Sequence, residues 1–312
     1  ASPIVYFASV QSLTNRLNAQ TKKILKESLS MIVFDEAHQV VANQARNLIN
    51  SLLYNNGDIK LLGLTATPGR NYFNATENEQ FRNYFSNIAR IKVPPPKTSF
   101  GNIKEIATDD DDRTAISYLQ ELGVLAKLDH VLLNYGMKVQ TRRSVPYGRD
   151  CYSKETLKKI AKDAKRNNSI LNKIAELVSE KKKVLVFACS VEHAKDLCFL
   201  LRIRKINAGL ILGTNRDVRN KIINSFRFTD ELNVLVNYGV LTMGFDAPEI
   251  NSLIMARPTS SLVTYSQMLG RALRGLLNGG HEKNLVINVS DPIFGEENEA
   301  YRKFNIYWRD YA

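Results

Sequence analysis

Short runs of aliphatic and β-branched residues alternate along this chain with longer stretches in which apolar residues recur with a helical period. The short runs predict strands at Ile4–Ala8, Met31–Phe34, Lys60–Thr65, Val184–Ala188, Ala208–Leu212, Leu232–Val236, Ser252–Ala256 and Asn284–Val289. The longer stretches predict amphipathic helices, among them Ser12–Ser28, Ser169–Glu180, Val191–Arg202 and Asp217–Phe226. Because the two kinds of element alternate, we expect an α/β fold whose parallel strands are covered on both faces.

The middle of the chain interrupts this alternation. Pro94–Pro96 cannot continue a helix or a central strand. The acidic run Asp109–Asp112 precedes a helix predicted at Arg113–Leu122, because carboxylates favour a helix N-terminus, and Gly123 is expected to end that helix. We therefore predict two α/β domains joined by a crossover, over residues 1–128 and 129–312.

The composition narrows the class of protein. A net charge of +12 in 312 residues favours a polyanionic partner such as nucleic acid, although a generally basic protein would show the same surplus. No apolar run approaches the roughly 18 residues that span a bilayer, so no membrane association is expected. Cys151, Cys189 and Cys198 are too scattered for a disulfide framework, which favours a reducing cytoplasm.

In the segment MIVFDEAH, a short apolar run is followed by two adjacent carboxylates, Asp35 and Glu36. Open parallel sheets bind ligands outside the carboxyl ends of their strands, where Asp35 would hold Mg²⁺ and Glu36 would polarise an attacking water. Taken alone, such a pair is equally compatible with a helix cap or a solvated charge. A second predicted strand ends in hydroxyls, Thr65 and Thr67 in LLGLTATPGR, although this is also common turn chemistry.

The second half of the chain has two comparable segments. In VLVNYGVLTMGFDAP a predicted strand leads into a loop that contains Gly244 and Asp246. In QMLGRALR, Arg271 and Arg274 are three residues apart, so a helix would present both on one face. Two guanidinium groups there suit a phosphate or a transition-state charge, whereas the simpler interpretation is an ordinary basic helix face.

These motifs follow one another in the order Asp-Glu-Ala-His, Thr-Ala-Thr, Gly-x-Asp and Gln-x-x-Gly-Arg-x-x-Arg. In order, spacing and strand context they resemble the DExH-box helicases of superfamily 2 across nearly the whole chain. The second half, with VLVFACSVEHAK, GFDAP and RPT, is most similar to RadD-type DNA repair helicases and to the Res-type translocating subunits of restriction enzymes. The resemblance implies tandem RecA-like domains with parallel sheets, the first domain being incomplete.

The resemblance also implies an ATP site. Asp35 would coordinate Mg²⁺, Glu36 would position or deprotonate water, and His38 would link the nucleotide site to Gln267 across an interdomain cleft. ATP and Mg²⁺ are the implied cofactors.

Further roles follow from the resemblance for the remaining motifs. Thr65 and Thr67 would couple hydrolysis to domain movement. Arg271 and Arg274 would act on the phosphates, with Arg274 as the arginine finger, a group that contributes about 10³–10⁵ in rate.

Residues on both halves are implied to contact nucleotide or nucleic acid. Gly244 and Asp246 would approach the nucleotide from the second domain. Gln11 and Ser12, in the segment SVQSL, and Thr242 would contact nucleic acid. Contacts to phosphates position a strand without reading its sequence, so binding is expected to be largely sequence-independent.

One family signature is missing. The phosphate-binding loop GxxxxGK[ST] should precede Gln11, but the sequence contains no Gly-Lys dipeptide. We expect that the chain is a piece of a longer protein and that, by itself, it binds ATP very weakly and is inactive. The alternative is a degenerate, nucleotide-independent scaffold, although such a scaffold would need neither the carboxylate pair nor the arginines.

The predicted function is that of an ATP-dependent DNA helicase or translocase core, in which ATP hydrolysis is coupled to movement on single-stranded or duplex DNA in repair, restriction or defence. Additional subunits are possible partners. Two alternatives stay open: an RNA helicase, and a non-catalytic nucleic-acid-binding module.

Overall fold

The computed structural model describes residues 4–41, 43–54, 58–65, 75–85, 115–136, 152–213, 216–239, 247–259, 261–291, 300 and 304. It divides into two compact units, Ala1–Arg90 and Ile91–Ala312. The predicted breaks at Pro94–Pro96 and Asp109–Asp112 lie outside the described residues. The boundary predicted at residue 128 falls within a strand of the second unit, Lys127–Leu133.

The first unit has a two-stranded parallel sheet and four described helices. Its elements are α1 (Val10–Arg16), α2 (Ala19–Ser28), β1 (Met31–Asp35), a 3₁₀ helix (Ala37–Val41), α3 (Asn43–Leu53), β2 (Lys60–Leu64) and α4 (Ala75–Tyr84). The helix predicted over Ser12–Ser28 is two helices, because Leu17 and Asn18 are extended. The Asn18 carboxamide oxygen accepts the backbone N–H of Thr21 at 2.8 Å and starts α2.

The strand predicted at Ile4–Ala8 is wrong. This segment has no regular structure, and its apolar side chains are exposed, up to 95% for Phe7. A strand forms only when a neighbour satisfies its backbone groups, and in the described part of this unit β1 and β2 pair only with each other. An apolar run is therefore not sufficient to make a strand.

The core of the first unit lies on one face of its sheet. Ala37, Val40, Ile49 and Phe81 form its buried centre. Gly63 allows this packing, because a Cβ atom there would lie 2.6 Å from Cζ of the Phe85 ring. The other face is open: Val33 is 54% exposed and Leu62 is 46% exposed.

The second unit is built on a six-stranded parallel sheet. Its elements are α5 (Ala115–Glu121), β3 (Lys127–Leu133), α6 (Lys154–Ala161), α7 (Ala164–Ser179), β4 (Val184–Phe187), α8 (Val191–Ile203), β5 (Ala208–Ile211), α9 (Arg216–Phe228), β6 (Val234–Asn237), β7 (Ser252–Met255), α10 (Leu262–Leu269), a 3₁₀ helix (Leu276–Asn278) and β8 (Lys283–Val289). The strand order is β3-β8-β7-β4-β6-β5. Gly123, with φ of +71°, follows α5 as predicted.

Alternate residues of the central strands enter two separate cores. Leu185 and Phe187 of β4 face α9 and α10, whereas Val184 and Val186 face α7 and α8. The prediction of strands covered on both faces is therefore confirmed for the central strands of this sheet.

Strand β3 was not predicted. Exposed and half-buried positions alternate along most of its sequence KLDHVLL, which is typical of an edge strand with one wet face. Lys283 on the neighbouring β8 forms a 2.6 Å salt bridge with Asp129 across this edge.

Candidate functional site

The carboxylate pair lies where β1 ends. Asp35 is the last residue of the strand, and Glu36 follows with φ of +53°, a left-handed conformation that turns the chain sharply. One carboxylate oxygen of Asp35 accepts the backbone N–H of Glu36 at 2.9 Å. The Asp35 side chain is exposed and that of Glu36 is half-buried, so both carboxylates lie at the rim of the sheet.

Thr65 lies at the same edge of the sheet. Because β1 and β2 are parallel and Asp35 pairs with Leu64, Thr65 follows Leu64 just as Glu36 follows Asp35. The structure thus brings together the two predicted strand ends. The side chain of His38 and the whole of Thr67 lie outside the described residues.

Asp35 fits the role of a magnesium ligand. Mg²⁺ takes oxygen ligands and is usually held by one or two carboxylates together with waters and substrate phosphates. Asp35 is exposed, and only one of its two oxygens accepts a hydrogen bond from the described residues. Among those residues no group of three His, Cys, Asp or Glu side chains forms a metal cage, and a site of this substrate-assisted kind does not require one.

Gln11 and Ser12 lie in the first turn of α1. The Ser9 hydroxyl caps this helix by accepting the backbone N–H of Ser12 at 3.1 Å. Gln11 is exposed and Ser12 is half-buried, so the amide of Gln11 is accessible to a ligand. Their role in nucleic-acid binding stays a prediction.

The prediction that one helix carries Gln267 and both arginines is wrong. Helix α10 ends at Leu269, and the N–H groups of Arg271 and Ala272 bond to carbonyls three residues earlier, at 3.2 and 2.8 Å. The chain then leaves the helix, and Arg274 forms an isolated antiparallel bridge with Leu125. Gln267 is therefore helical and half-buried, while Arg271 and Arg274 lie on a turn and an extended segment.

Glycines hold the backbone of Arg274 in place. The Arg274 carbonyl accepts the N–H of His281 at 3.2 Å, and a Cβ atom on the neighbouring Gly280 would collide with that same carbonyl oxygen. A Cβ atom on Gly275 would likewise collide with the carbonyl oxygen of Gly123. The extended conformation of Arg274 thus depends on close backbone approaches that only glycine permits.

Three predicted residues of the second unit, Thr242, Gly244 and Asp246, lie outside the described residues. The described chain resumes at Ala247, which is buried in the core.

Sequence reasoning missed a buried ion pair at the carboxyl edge of the second sheet. Arg166, which is fully buried, donates from Nε and an NH₂ group to the two oxygens of Asp291 at 2.7 and 2.8 Å. The same guanidinium donates to the carbonyl of Ala256, and the Tyr135 hydroxyl donates to Asp291 at 2.8 Å. The network therefore joins α7 to the ends of β3, β7 and β8. No local pattern indicates it, because Arg166 and Asp291 are 125 residues apart.

Burial and charge shift the ionisation of this network. Burial opposes the charge of Arg166, but the hydrogen bonds and negative charge of Asp291 outweigh it and raise the pKa of the guanidinium. Burial, followed by the charge of Asp291, raises the pKa of Tyr135. Arg166 is thus charged and Tyr135 is neutral at physiological pH.

A neutral histidine extends the network. His193 Nδ1 accepts the backbone N–H of Cys189 at 3.1 Å, so the ring proton is on Nε2, which donates to the Asn167 carboxamide oxygen at 3.0 Å. Burial, with a smaller contribution from the Arg166 charge, lowers the pKa of His193 to about 3. Burial raises the pKa of the Cys189 thiol to about 11. Both groups are therefore packing residues.

Known proteins match both units. The family model of the helicase conserved C-terminal domain matches residues 166–275, and that of the type III restriction enzyme res subunit matches residues 2–70. The proposed ATP-dependent helicase IRC3 of Saccharomyces cerevisiae is 26% identical over 275 residues, which are 86% of this chain and 35% of that protein. The chain belongs to the superfamily 2 helicases. It is related to the Res-type subunits of that superfamily.

Two further comparisons are consistent with this family assignment. The proposed mitochondrial ATP-dependent helicase irc3 of Schizosaccharomyces pombe is 38% identical over 140 residues, 45% of this chain and 23% of that protein. A fragment of a proposed HsdR subunit of a type I restriction enzyme from Vibrio vulnificus superposes with a TM-score of 0.58 at 16% identity, over 92% of this chain and 47% of that one. The likeness confirms the α/β fold with RecA-like parallel sheets.

The chain spans about a third or less of the length of these two curated relatives. In the part that the structure describes, no helix is both long and apolar enough to cross a membrane.

Proposed function

We propose that this chain forms part of the ATP-hydrolysing and coupling core of a DNA helicase or translocase. The observation that carries the proposal is the carboxylate pair Asp35–Glu36, which a sharp turn presents at the carboxyl end of β1 in a superfamily 2 helicase. Open parallel sheets bind ligands at this edge.

In the proposed reaction the oxygen of a water molecule attacks the γ-phosphorus of ATP. The bond from that phosphorus to the β,γ-bridging oxygen breaks, and ADP and phosphate leave. Glu36 orients the water and accepts its proton, and Asp35 would hold Mg²⁺, which neutralises phosphate charge when it is bound. Thr65, beside them at the sheet edge, couples the state of the nucleotide to domain movement.

The second unit contributes Gln267, Arg271 and Arg274, and the loop residues Gly244 and Asp246. Arg274 is the proposed finger that stabilises charge on the transferred phosphoryl group, and its Arg274→Ala variant is expected to lose about 10³-fold or more in rate. Because the glycines hold its backbone, this arginine is presented from a preformed segment.

DNA is the proposed polymer, contacted by Gln11, Ser12 and Thr242. The match to the res subunit of type III restriction enzymes supports DNA over RNA. Coupling of hydrolysis to movement, a role in repair, restriction or defence, and assembly with further subunits are parts of the same proposal. A cytoplasmic location is proposed from the two buried free thiols, Cys189 and Cys198, although one relative is named as mitochondrial.

The test measures phosphate release by the protein that carries this chain, with single-stranded DNA, duplex DNA and RNA compared at equal nucleotide concentration. We expect DNA to stimulate hydrolysis most. The Glu36→Gln variant should lose about 10²-fold or more of that rate, because the water loses its general base. Glu27→Gln, an exposed carboxylate on α2, serves as the control and should keep the full rate. Greatest stimulation by RNA would overturn the choice of DNA.

A second candidate function is favoured by one observation, the lack of any Gly-Lys dipeptide in the sequence. In that case the chain is a nucleic-acid-binding module without hydrolysis. DNA binding that is accompanied by no hydrolysis, and that is indifferent to Glu36→Gln, would establish it. We also expect the 312-residue chain alone to bind ATP only weakly, so micromolar ATP affinity measured by calorimetry would contradict the need for a phosphate loop.

A further inference from the structure

Helix α6, the turn that follows it and the first turn of α7 expose five lysines, which together we name the lysine surface. They are Lys154, Lys158, Lys159, Lys162 and Lys165, and all five side chains are exposed. The same segment contains only two carboxylates, Glu155 and Asp163. The carboxylate of Asp163 already caps α7, where it accepts the backbone N–H of Arg166 at 2.9 Å. The segment therefore has a local excess of positive charge.

Packing places α6 at the carboxyl edge of the six-stranded sheet. The apolar side of the helix, with Leu157, Ile160 and Ala161, packs against Tyr152 and against Cys189, which lies just beyond the end of β4. The lysines face solvent because the opposite side of the helix is buried. Parallel α/β sheets bind their ligands at this edge.

A small cavity lies next to Tyr152, which packs against α6. Tyr152 lines it together with Asn288 of β8 and with Arg257 and Thr259, which follow β7, and its volume is about 40 Å³. The Arg257 guanidinium lies over the Tyr238 ring, 5.3 Å from its centroid, and so extends the positive edge to the end of β6. The carboxyl ends of β4, β6 and β7 thus share one positive rim.

Several cations elsewhere in the second unit are matched by partners. Lys283 pairs with Asp129, Arg227 pairs with Glu249, and Lys183 donates to the carbonyls of Thr229 and Leu232. By contrast, no lysine of the lysine surface forms a salt bridge with any described residue.

One carboxylate lies near this surface. Hydrogen bonds from its own backbone and from Ser190, and then the charges of Lys158 and Lys195, lower the pKa of Glu192. Glu155 and Glu192 are thus two exposed carboxylates beside five lysines, and most of the positive charge of the surface stays uncompensated.

We propose that the lysine surface binds the phosphate backbone of a nucleic-acid strand that crosses the carboxyl edge of the second sheet. The inference rests on the proposed function for its choice of polyanion, and it adds a contact surface outside the four motifs. Lysine ammonium groups are mobile point charges that bind phosphates without reading bases. The contacts are therefore sequence-independent and release counterions from the strand.

The test compares two triple variants of the chain with the same loss of charge. The first, Lys158→Gln with Lys159→Gln and Lys162→Gln, removes the centre of the lysine surface. The matched control, Lys181→Gln with Lys182→Gln and Lys205→Gln, removes three lysines that precede β4 and β5, at the opposite edge of the sheet; Lys181 and Lys205 are exposed and Lys182 is half-buried. Fluorescence anisotropy without nucleotide measures affinity for labelled single-stranded DNA, duplex DNA and single-stranded RNA over a range of salt concentrations.

We expect the first variant to bind about tenfold or more weakly at low salt, and the slope of log affinity against log salt to fall by about two to three. The control should keep the wild-type slope. Equal losses in the two variants, or no loss in the first, would overturn the proposal. Circular dichroism, expected to be unchanged, shows that α6 is folded.

The binding results distinguish a failure of the nucleic-acid assignment from a failure of the lysine surface alone. If the wild-type chain binds none of the three nucleic acids, the choice of nucleic acid fails together with this surface. If it binds DNA while the first variant keeps full affinity, only the lysine surface fails. Vesicles containing phosphatidylserine are the fourth probe, and tighter lysine-dependent binding to them than to nucleic acid would assign the surface to membranes and overturn the proposal.

Discussion

The strands of the two units have similar aliphatic sequences but very different burial. In β1 and β2 the exposed and half-buried positions alternate, whereas every residue of β4, β6 and β7 is buried. Val33 in β1 is 54% exposed, and Val186 in β4 is fully buried. An aliphatic run therefore indicates a strand, but the helices that pack on the sheet decide whether one face or both are covered.

The two regions also differ in how they hold polar groups. In the second unit Arg166, Asp291 and His193 are buried at the sheet edge. Arg166 donates hydrogen bonds to Asp291, and His193 is hydrogen-bonded to Asn167. In the first unit Asp35 is exposed at its strand end. The first arrangement fixes structure, and the second leaves a carboxylate accessible to ligands.

The largest effect is expected from breaking the buried ion pair. Asp291→Ala should destabilise the second unit by about 3–5 kcal/mol, because it leaves the Arg166 charge buried and uncompensated. Urea unfolding, followed by hydrogen exchange in each unit, measures this. The matched change Asp35→Ala removes an exposed carboxylate, and its cost should stay within about 0.5 kcal/mol. Equal costs for the two variants would contradict the difference in burial.

Next comes the comparison of two leucines in strands. Leu185→Ala, at a fully buried site in β4, should cost about 2–5 kcal/mol, since it removes apolar contacts and leaves a cavity. Leu62→Ala, on the open face of β2, should cost about 1 kcal/mol or less. The same unfolding measurement tests both, and a large loss for Leu62→Ala would show that its face is covered.

The buried histidine His193 should make a distinct contribution to the pH dependence of stability. Because the folded pKa of His193 is about 3, the unfolded chain binds the extra proton between pH 3 and its ordinary pKa of about 6.5. Stability should therefore fall as pH drops below about 6.5, by about 2 kcal/mol at pH 5. The free energy of unfolding of the wild type and of His193→Gln is measured at pH 7 and pH 5. The difference between the two proteins isolates the effect of His193, because the carboxylates contribute equally to the wild type and to the variant. Parallel losses in the two proteins would refute it.

The smallest effect concerns the covered face of the two-stranded sheet. Gly63→Ala should destabilise the first unit by about 1–2 kcal/mol, because the new methyl group would meet the Phe85 ring and Ala37. Leu64→Ala, whose side chain is on the open face, is the control and should cost less. If Gly63→Ala is neutral, the packing of Phe85 against β2 is looser than described.

Much of the fold was predictable because local patterns record it. Seven of the eight described strands were predicted to within one or two residues of their ends, since aliphatic runs between helical periods are a local signal. The miss, β3, is an edge strand whose polar Asp129 and His130 hid it. The false strand at Ile4–Ala8 had the right composition but has no described neighbour to pair with.

The candidate site was predictable in part. The position of Asp35 and Glu36 directly after an apolar run predicted that they lie at a strand end. The parallel pairing of β1 and β2 brings Thr65 to the same edge. The helical placement of Arg271 and Arg274 failed, because backbone bonds to residues 124–126 override the helical spacing after Leu269.

The sequence by itself determined the order of the motifs, most strand positions, and the identity of the groups offered to a nucleotide. Only the tertiary structure decided which sheet faces are covered, where α10 ends, and that Arg166 meets Asp291 across 125 residues. The physical reason is that a local pattern reports the face of its own element, whereas burial and ion pairing depend on the segments that pack against it. For the same reason, the lysine surface was recognisable only once α6 had been placed against the end of β4.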